Sequence, residues 1–314
     1  MNEPTFPTVT EDEADTITRQ IYQDIKSTMG VALVNLVWRH LAVSPQVLQW
    51  SWQVLKPHYT GGAIQSAAWL LRESLDTPQL APVTSDEWQY VDSTPGNIEA
   101  DTNRETSQAF KGQNISEQIT NLDAVLQTYE RGNAQNLIAM CYLQACLDNT
   151  IDETHRMPAL NNQQRSAEQK DRLARQIPPL PEWNGLHPVT VTTITAMTTT
   201  WVPVQYRGFT PSVFRHISYW PEFLQLYCSR LQQLHSSSSE SLDSLSEQTI
   251  KHASRLARQM GPVTPAIHPL SVEDQQWLQI ALTRFIEGMI SRGVVIVPAM
   301  RAMLESRNPG EPRC

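Results

Sequence analysis

Apolar residues recur along most of this chain at steps of three and four. Ile17, Ile21 and Ile25 share one helical face, with Gly30 placed to end it. Leu33, Leu36, Val37, His40 and Leu41 share a second, Leu48, Trp52 and Leu55 a third, and Ile64, Ala67, Ala68 and Leu71 a fourth. Such spacing is the mark of amphipathic helix. It predicts helices from about Glu13 to Thr28, around His40, after Pro45, after Gly62, over Ile115 to Asp148, over Gln248 to Gln259 and over Val272 to Leu304, the last broken near Pro298.

Polar and proline-rich stretches separate these spans. Residues 1 to about 12 read as a loose arm, and Leu75 to Ser107 as a long loop with one short helix near Asp86 to Val91. A polar helix, NNQQRSAEQKDRLARQ, precedes a strap, IPPLPEW, and the Ser-rich stretch after His235 reads as a connection. Val189 to Thr200 is rich in β-branched residues, which suit a strand. Its alignment with Glu13 to Asp24 nevertheless argues for helix.

That alignment comes from an internal repeat. Val37 to Gln49 reads VWRHLAVSPQVLQ and Val213 to Gln225 reads VFRHISYWPEFLQ, an offset of 213 − 37 = 176 positions. Each copy suits a corner between two helices, with Ser44 as N-cap and Pro45 as the first helical residue of the next in the first copy. A weaker echo pairs Leu126 with Leu282, Tyr129 with Phe285 and Gly132 with Gly288, at an offset of 288 − 132 = 156. Solenoid arrays repeat at roughly 20 to 50 residues, so a repeat of this length is a duplicated domain. The expected fold is all-α, with a first helical repeat over residues 1–155, a linker strap over 156–185 and a second repeat over 186–314, the two forming an intramolecular pseudo-dimer.

Composition narrows the function. At 314 residues the chain can bury a sizeable core, and its net charge of −8 gives no basic footprint for nucleic acid or an anionic membrane surface. Its apolar runs are shorter than the roughly 20 residues that cross a bilayer. The acidic, polar start is unlike a signal peptide. Four cysteines, Cys141, Cys146, Cys228 and Cys314, form no CxxC pair, which suits free thiols in a reducing cytoplasm.

Candidate chemistry is sparse. Asp152, Glu153 and His155 resemble half of a metal site, but zinc needs three or four converging ligands and no second half is evident, so no metal is expected. His40 and His216 occupy matching places in the two corners. They form either a titratable pair about a pseudo-two-fold axis or two structural histidines bonding the ends of neighbouring helices. Arg39 and Arg215 beside them could steer a carboxylate or make ordinary ion pairs.

Two helical repeats, the RxLxxxPxxL-like corner, a YxxGN segment at Tyr129 to Asn133 and a WPxxLQ segment at Trp220 to Gln225 resemble the group I 2-haloacid dehalogenases. The resemblance implies a cofactor-free helical pseudo-dimer in which an aspartate between the repeats activates water to displace halide from C2 of a small carboxylic acid. It places Asn133 where that family holds the water and Ser212 beside the aspartate, whose own position falls on Val213. Leu33, Leu36, Leu282 and Ile286 fall on pocket positions. Valine accepts no proton, so the expected function divides between a dehalogenase with impaired or rerouted chemistry and a non-catalytic small-acid binding protein. His216, three residues after Val213 and adjacent to it on a helix, is the substitute base. The expected partners are a small carboxylic acid and, with composition leaving it open, a second copy in a homodimer. The corner also resembles the opening of the alkylhydroperoxidase D and carboxymuconolactone decarboxylase families, but the reactive CxxC of those peroxidases is missing.

Overall fold

Asp15 accepts a hydrogen bond from the backbone N–H of Thr18 at 2.7 Å and opens the first helix, α1 (Thr16–Met29), which Gly30 closes with a left-handed φ of 67°. The structure is a computed structural model describing residues 7–31, 33–84, 86–87, 115–158, 177–207, 210–237, 241–263 and 269–305. After α1 come α2 (Leu36–Leu41), α3 (Pro45–Thr60), α4 (Ala63–Glu73) and the long α5 (Ile115–Leu147). The second half runs α6 (Pro188–Trp201), α7 (Ser212–His216), α8 (Pro221–Ser237), α9 (Leu242–Arg258), α10 (Val272–Phe285), a π-helical turn at Ile286–Ile290 and α11 (Ser291–Glu305). Helices of 14 residues open both halves, and both corner helices hand over to a helix that begins on proline. The fold is all-α, with no strand among the described residues.

Several boundaries differ from expectation for local reasons. Residues 188–201 are helical because the hydroxyls of Thr192, Thr193, Thr195, Thr198, Thr199 and Thr200 each donate to the carbonyl four residues back, which satisfies them inside a helix. The Ser-rich connection ends early, since the Ser241 hydroxyl accepts from Ser244 N–H and starts α9 at Leu242 rather than near Gln248. No break occurs at Pro298. The helix passes through it, held by the buried Val294 to Val297, Ala299, Met300 and Met303, and the irregular turn lies upstream at Ile286–Ile290. Of the short helix expected after Asp86, only Asp86 and Glu87 lie within the described residues, and the polar linker helix lies outside them.

The arm before α1 is held rather than loose over residues 7–15. Val9 N–H donates to the carbonyl of Arg39 at 2.9 Å, and the Tyr22 hydroxyl donates to the carbonyl of Val9 at 2.9 Å. Ser44 caps α3 from its hydroxyl as the corner motif predicts.

The two apolar clusters do not coincide with the two halves of the sequence. One gathers α1 to α4, the second part of α5 (Ala134 to Leu143) and α9 and α10. The other gathers α6 to α8, the first part of α5 (Leu122, Val125, Leu126) and the second part of α11 (Ile296 to Leu304). Each half therefore lends the leading part of its final helical span to the other half's core. α5 and α11 make the most extensive helix pair, and Arg301 of α11 ties it with ion pairs to Asp123 at 2.7 Å and Glu130 at 3.2 Å. Among the described residues no helix is long and apolar enough to cross a membrane.

Candidate functional site between the two halves

The extended strap before α6 has no internal hydrogen bonds, so its proline carbonyls need partners. The second corner supplies them. His216 Nε2 lies 2.7 Å from the carbonyl of Pro178, the Tyr219 hydroxyl donates to Pro179 at 2.9 Å, and Arg215 donates to Pro181 at 2.6 and 3.1 Å. In the first corner His40 Nδ1 meets the carbonyl of Pro7 at 2.7 Å.

These contacts decide what His216 can do. A carbonyl only accepts, so Nε2 carries the proton and Nδ1 carries the lone pair, which takes the Tyr129 O–H at 3.2 Å. The ring is fully buried, and burial lowers its pKa to about 4, with Arg215 acting in the same direction against the Pro178 bond. Expected as a substitute base, His216 instead has both nitrogens engaged and stands behind the site as the anchor of Tyr129 and the strap. Burial also lowers the pKa of His40, and its ring stacks on Trp277 at 5.0 Å and meets Phe285 at 5.5 Å.

A cavity lies where the two corners face the two long helical spans. It leaves about 50 Å³ for the centres of water-sized molecules, several times the roughly 10–15 Å³ that admits one water. The segments lining it come in matched pairs. Asn35, Leu36 and Val37 face it from the first corner, and Pro211, Ser212 and Val213 from the second, at the 176-residue offset of the corner repeat. Tyr129 and Asn133 line it from α5, and Phe285 and Met289 from the second span, at the 156-residue offset of the weaker echo. Leu33, Asn136, Trp201, Ile290 and Gly293 complete the wall.

Of the residues expected at the site, Leu33, Leu36, Asn133, Ser212 and Val213 meet at this cavity, while Leu282 and Ile286 are packed into the first apolar cluster. On the same span, which makes a π turn at Ile286–Ile290, Phe285, Met289, Ile290 and Gly293 line the cavity instead. Sequence reasoning missed Asn35 and Asn136. The position of Asn136, one turn beyond Asn133 on the same helical face, was the signal available.

The wall is polar in a particular way. Among the described residues that line it there is no carboxylate, imidazole, thiol or lysine amine. Asn35 stands at the N-cap of α2 without making the usual side-chain cap bond. Asn133 lies against bare backbone, since a Cβ on Gly293 would fall 2.6 Å from its Nδ2. Asn136 is 2% exposed and its Oδ1 has no hydrogen-bond partner, and neither has the buried indole N–H of Trp201. Burial raises the pKa of the Tyr129 phenol, while the guanidiniums of Arg215 and Arg39 pull it the other way.

Elsewhere the expected alternatives lead away from chemistry. The Asp152 carboxylate accepts from Thr154 and His155 within its own turn, and among the described residues no group of three or more metal-binding side chains converges. Burial pushes the thiols up, Cys141 to about 12 and Cys146 to about 11, so neither is a thiolate at neutral pH.

No protein-family model matches the chain, and no curated protein matches it. Solved structures do. A D-2-haloacid dehalogenase mutant in complex with D-2-CPA superposes with a TM-score of 0.63 over 97% of this chain and 99% of its own, at 16% identity. The crystal structure of a D-2-haloacid dehalogenase mutant gives the same values, and a complex of D-2-haloacid dehalogenase with L-LA gives 0.58 over 98% and 99% at 16% identity. The fold is haloacid dehalogenase-like. At this identity the likeness speaks for architecture, and the chemistry has to be argued from the cavity.

Proposed function

We propose that this chain is a haloacid dehalogenase-like protein whose two repeats form a pseudo-dimer around a cavity that holds a small carboxylic acid, and that it lacks the base needed to hydrolyse a carbon–halogen bond efficiently. The observation that carries the reading is Val213, which lines the cavity at the position where the resemblance calls for an aspartate. Two features support an acid as occupant. The volume suits a molecule of a few heavy atoms, and the amides of Asn35, Asn133 and Asn136 offer N–H donors in a wall that, among the described residues, carries no carboxylate. The similar structures were solved with D-2-CPA and L-LA.

Asn133 and Ser212 hold the acid or a water beside it, while Leu33, Leu36, Val37 and Phe285 pack its carbon chain. His216 contributes by fixing Tyr129. The test pairs calorimetric titration of propanoate and 2-chloropropanoate with a halide-release assay on the latter. Saturable binding of both acids with halide release close to background is the expected result. Brisk turnover that survives Asn133→Ala overturns the reading, because chemistry would then reside on other residues.

A further inference from the structure

A single 3₁₀ turn, Val204–Tyr206, lies in the stretch that leaves Trp201 and returns at Pro211, two residues that both line the cavity. The stretch starts from a fixed point, since Trp201 and Val202 are buried and the Trp201 ring stands edge-on to Phe214 at 5.0 Å. The turn itself is exposed, Val204 at 71% and Gln205 and Arg207 beside it, and Arg207 bonds back to the carbonyl of Thr199 on α6. Tyr206 carries the turn across to the π turn. Its hydroxyl donates to the Glu287 carboxylate, and its side chain lies on Gly288, where an added Cβ would fall 2.7 Å from Tyr206 Cβ and 2.9 Å from Cγ. The next two residues, Met289 and Ile290, line the cavity. Burial and Glu287 hold the phenol's pKa up at about 12, so at neutral pH it stays protonated and donates. Glycine weakens a helix relative to alanine, and Gly288 has no left-handed φ to demand it. The seat it leaves for Tyr206 accounts for its place.

We propose that the turn Val204–Tyr206 is a gate to the cavity and that Tyr206, seated on Gly288 and bonded to Glu287, is its latch. An exposed turn here bridges two parts of the cavity wall through one phenol. A lone side-chain hydrogen bond at a surface contributes little net stability, because water replaces it readily. When the phenol leaves Glu287, the turn swings about the buried Val202 and a small solute passes between Trp201 and the π turn. The motion leaves the buried parts of both apolar clusters in place. The gate serves the cavity whatever molecule fills it.

The experiment places a reporter thiol in the cavity of the full chain by Val213→Cys and follows its reaction with methyl methanethiosulfonate. Peptide mass separates residue 213 from the native cysteines. Adding Tyr206→Phe, which keeps the ring and removes the donor, should raise the labelling rate at residue 213 by about threefold or more, since that rate follows the open population when closing is fast. Gly288→Ala, which unseats the side chain, should raise it too, while Gln205→Ala on the same turn should leave it unchanged. Cys141, buried in the first apolar cluster, should stay slow to label throughout. An equal rate with and without Tyr206→Phe overturns the gate. So does a rise shared by Cys141, which is global opening, or one matched by Gln205→Ala, which is general loosening of the turn. Tyr206→Phe, a mild change at a half-exposed residue, decides even if Gly288→Ala fails to fold.

Discussion

The phenol of Tyr129 reaches from α5 in the first half of the chain to donate to Nδ1 of His216 in the second, 3.2 Å away. The matched pair, Phe285 and His40, makes ring contact at 5.5 Å without a hydroxyl to share. Removing the Tyr129 hydroxyl by Tyr129→Phe preserves shape but leaves the lone pair of a fully buried imidazole unpaired. Such a group destabilises a fold by about 1–3 kcal/mol. Urea unfolding at pH 7.5 should show a loss in that range, and an unchanged midpoint would mean that the pair contributes nothing to stability.

Acid should weaken the fold through the same imidazole. His216 has a pKa of about 4 in the folded chain against an ordinary 6.5, so between these values the unfolded chain binds the extra proton. Stability is then fully present above pH 6.5 and is lost as pH falls toward 4. His58, lowered to about 4 by burial and by Arg156, adds to the same slope. His216→Gln should flatten the fall in unfolding free energy between pH 7 and 4.5, by roughly 3 kcal/mol at most at 1.36 kcal/mol per pKa unit. A variant as acid-sensitive as its parent would show that this imidazole does not titrate with unfolding.

Gly293→Ala separates binding from stability. The added methyl would fall 2.6 Å from Asn133 Nδ2 and push that amide from its place. Alanine in a helix is favoured over glycine by about 1 kcal/mol, so the melting temperature should hold or rise. Affinity for propanoate should drop several-fold. Unaltered affinity would place Asn133 outside the binding site.

Restoring the carboxylate tests the cavity as a reaction vessel. A positioned general base contributes roughly 10² to 10⁴ in rate. Val213→Asp should raise halide release from 2-chloropropanoate, with a gain that grows with pH because the apolar wall raises the new carboxyl's pKa. No gain, with propanoate binding intact, would show that no water stands in line beside position 213.

What was legible in the sequence, and what was not, follows from the range of the interactions. Three- and four-residue spacing displays the helices because it is local, and Ser44 before Pro45 displays a corner for the same reason. The two offsets, 176 and 156, relate segments that turn out to line the cavity, 35–37 with 211–213 and residue 129 with 285. Leu282 and Ile286 were assigned to the second wall by the resemblance, but both are packed into the first apolar cluster, and Phe285 and Met289 on the same span line the cavity. His216 looked like a base because its neighbours on α7 are visible in sequence, whereas the Pro178 carbonyl and the Tyr129 hydroxyl that occupy its nitrogens arrive from 38 and 87 residues away. Asn136 escaped notice because an asparagine in a helix is unremarkable until its amide proves to have no partner.

The matched segments around the cavity carry different side chains on its two sides. Asn133 is matched by Met289 and Asn35 by Pro211, so amides crowd one wall and apolar groups the other. Two identical subunits about a two-fold axis would have to repeat every group across it. With both walls in one chain each is free to differ from the other, and the result is a lopsided chamber with a left and a right. A small acid has two equivalent ways round in a site with a two-fold axis but only one best way round in this chamber, so it should bind in a single orientation.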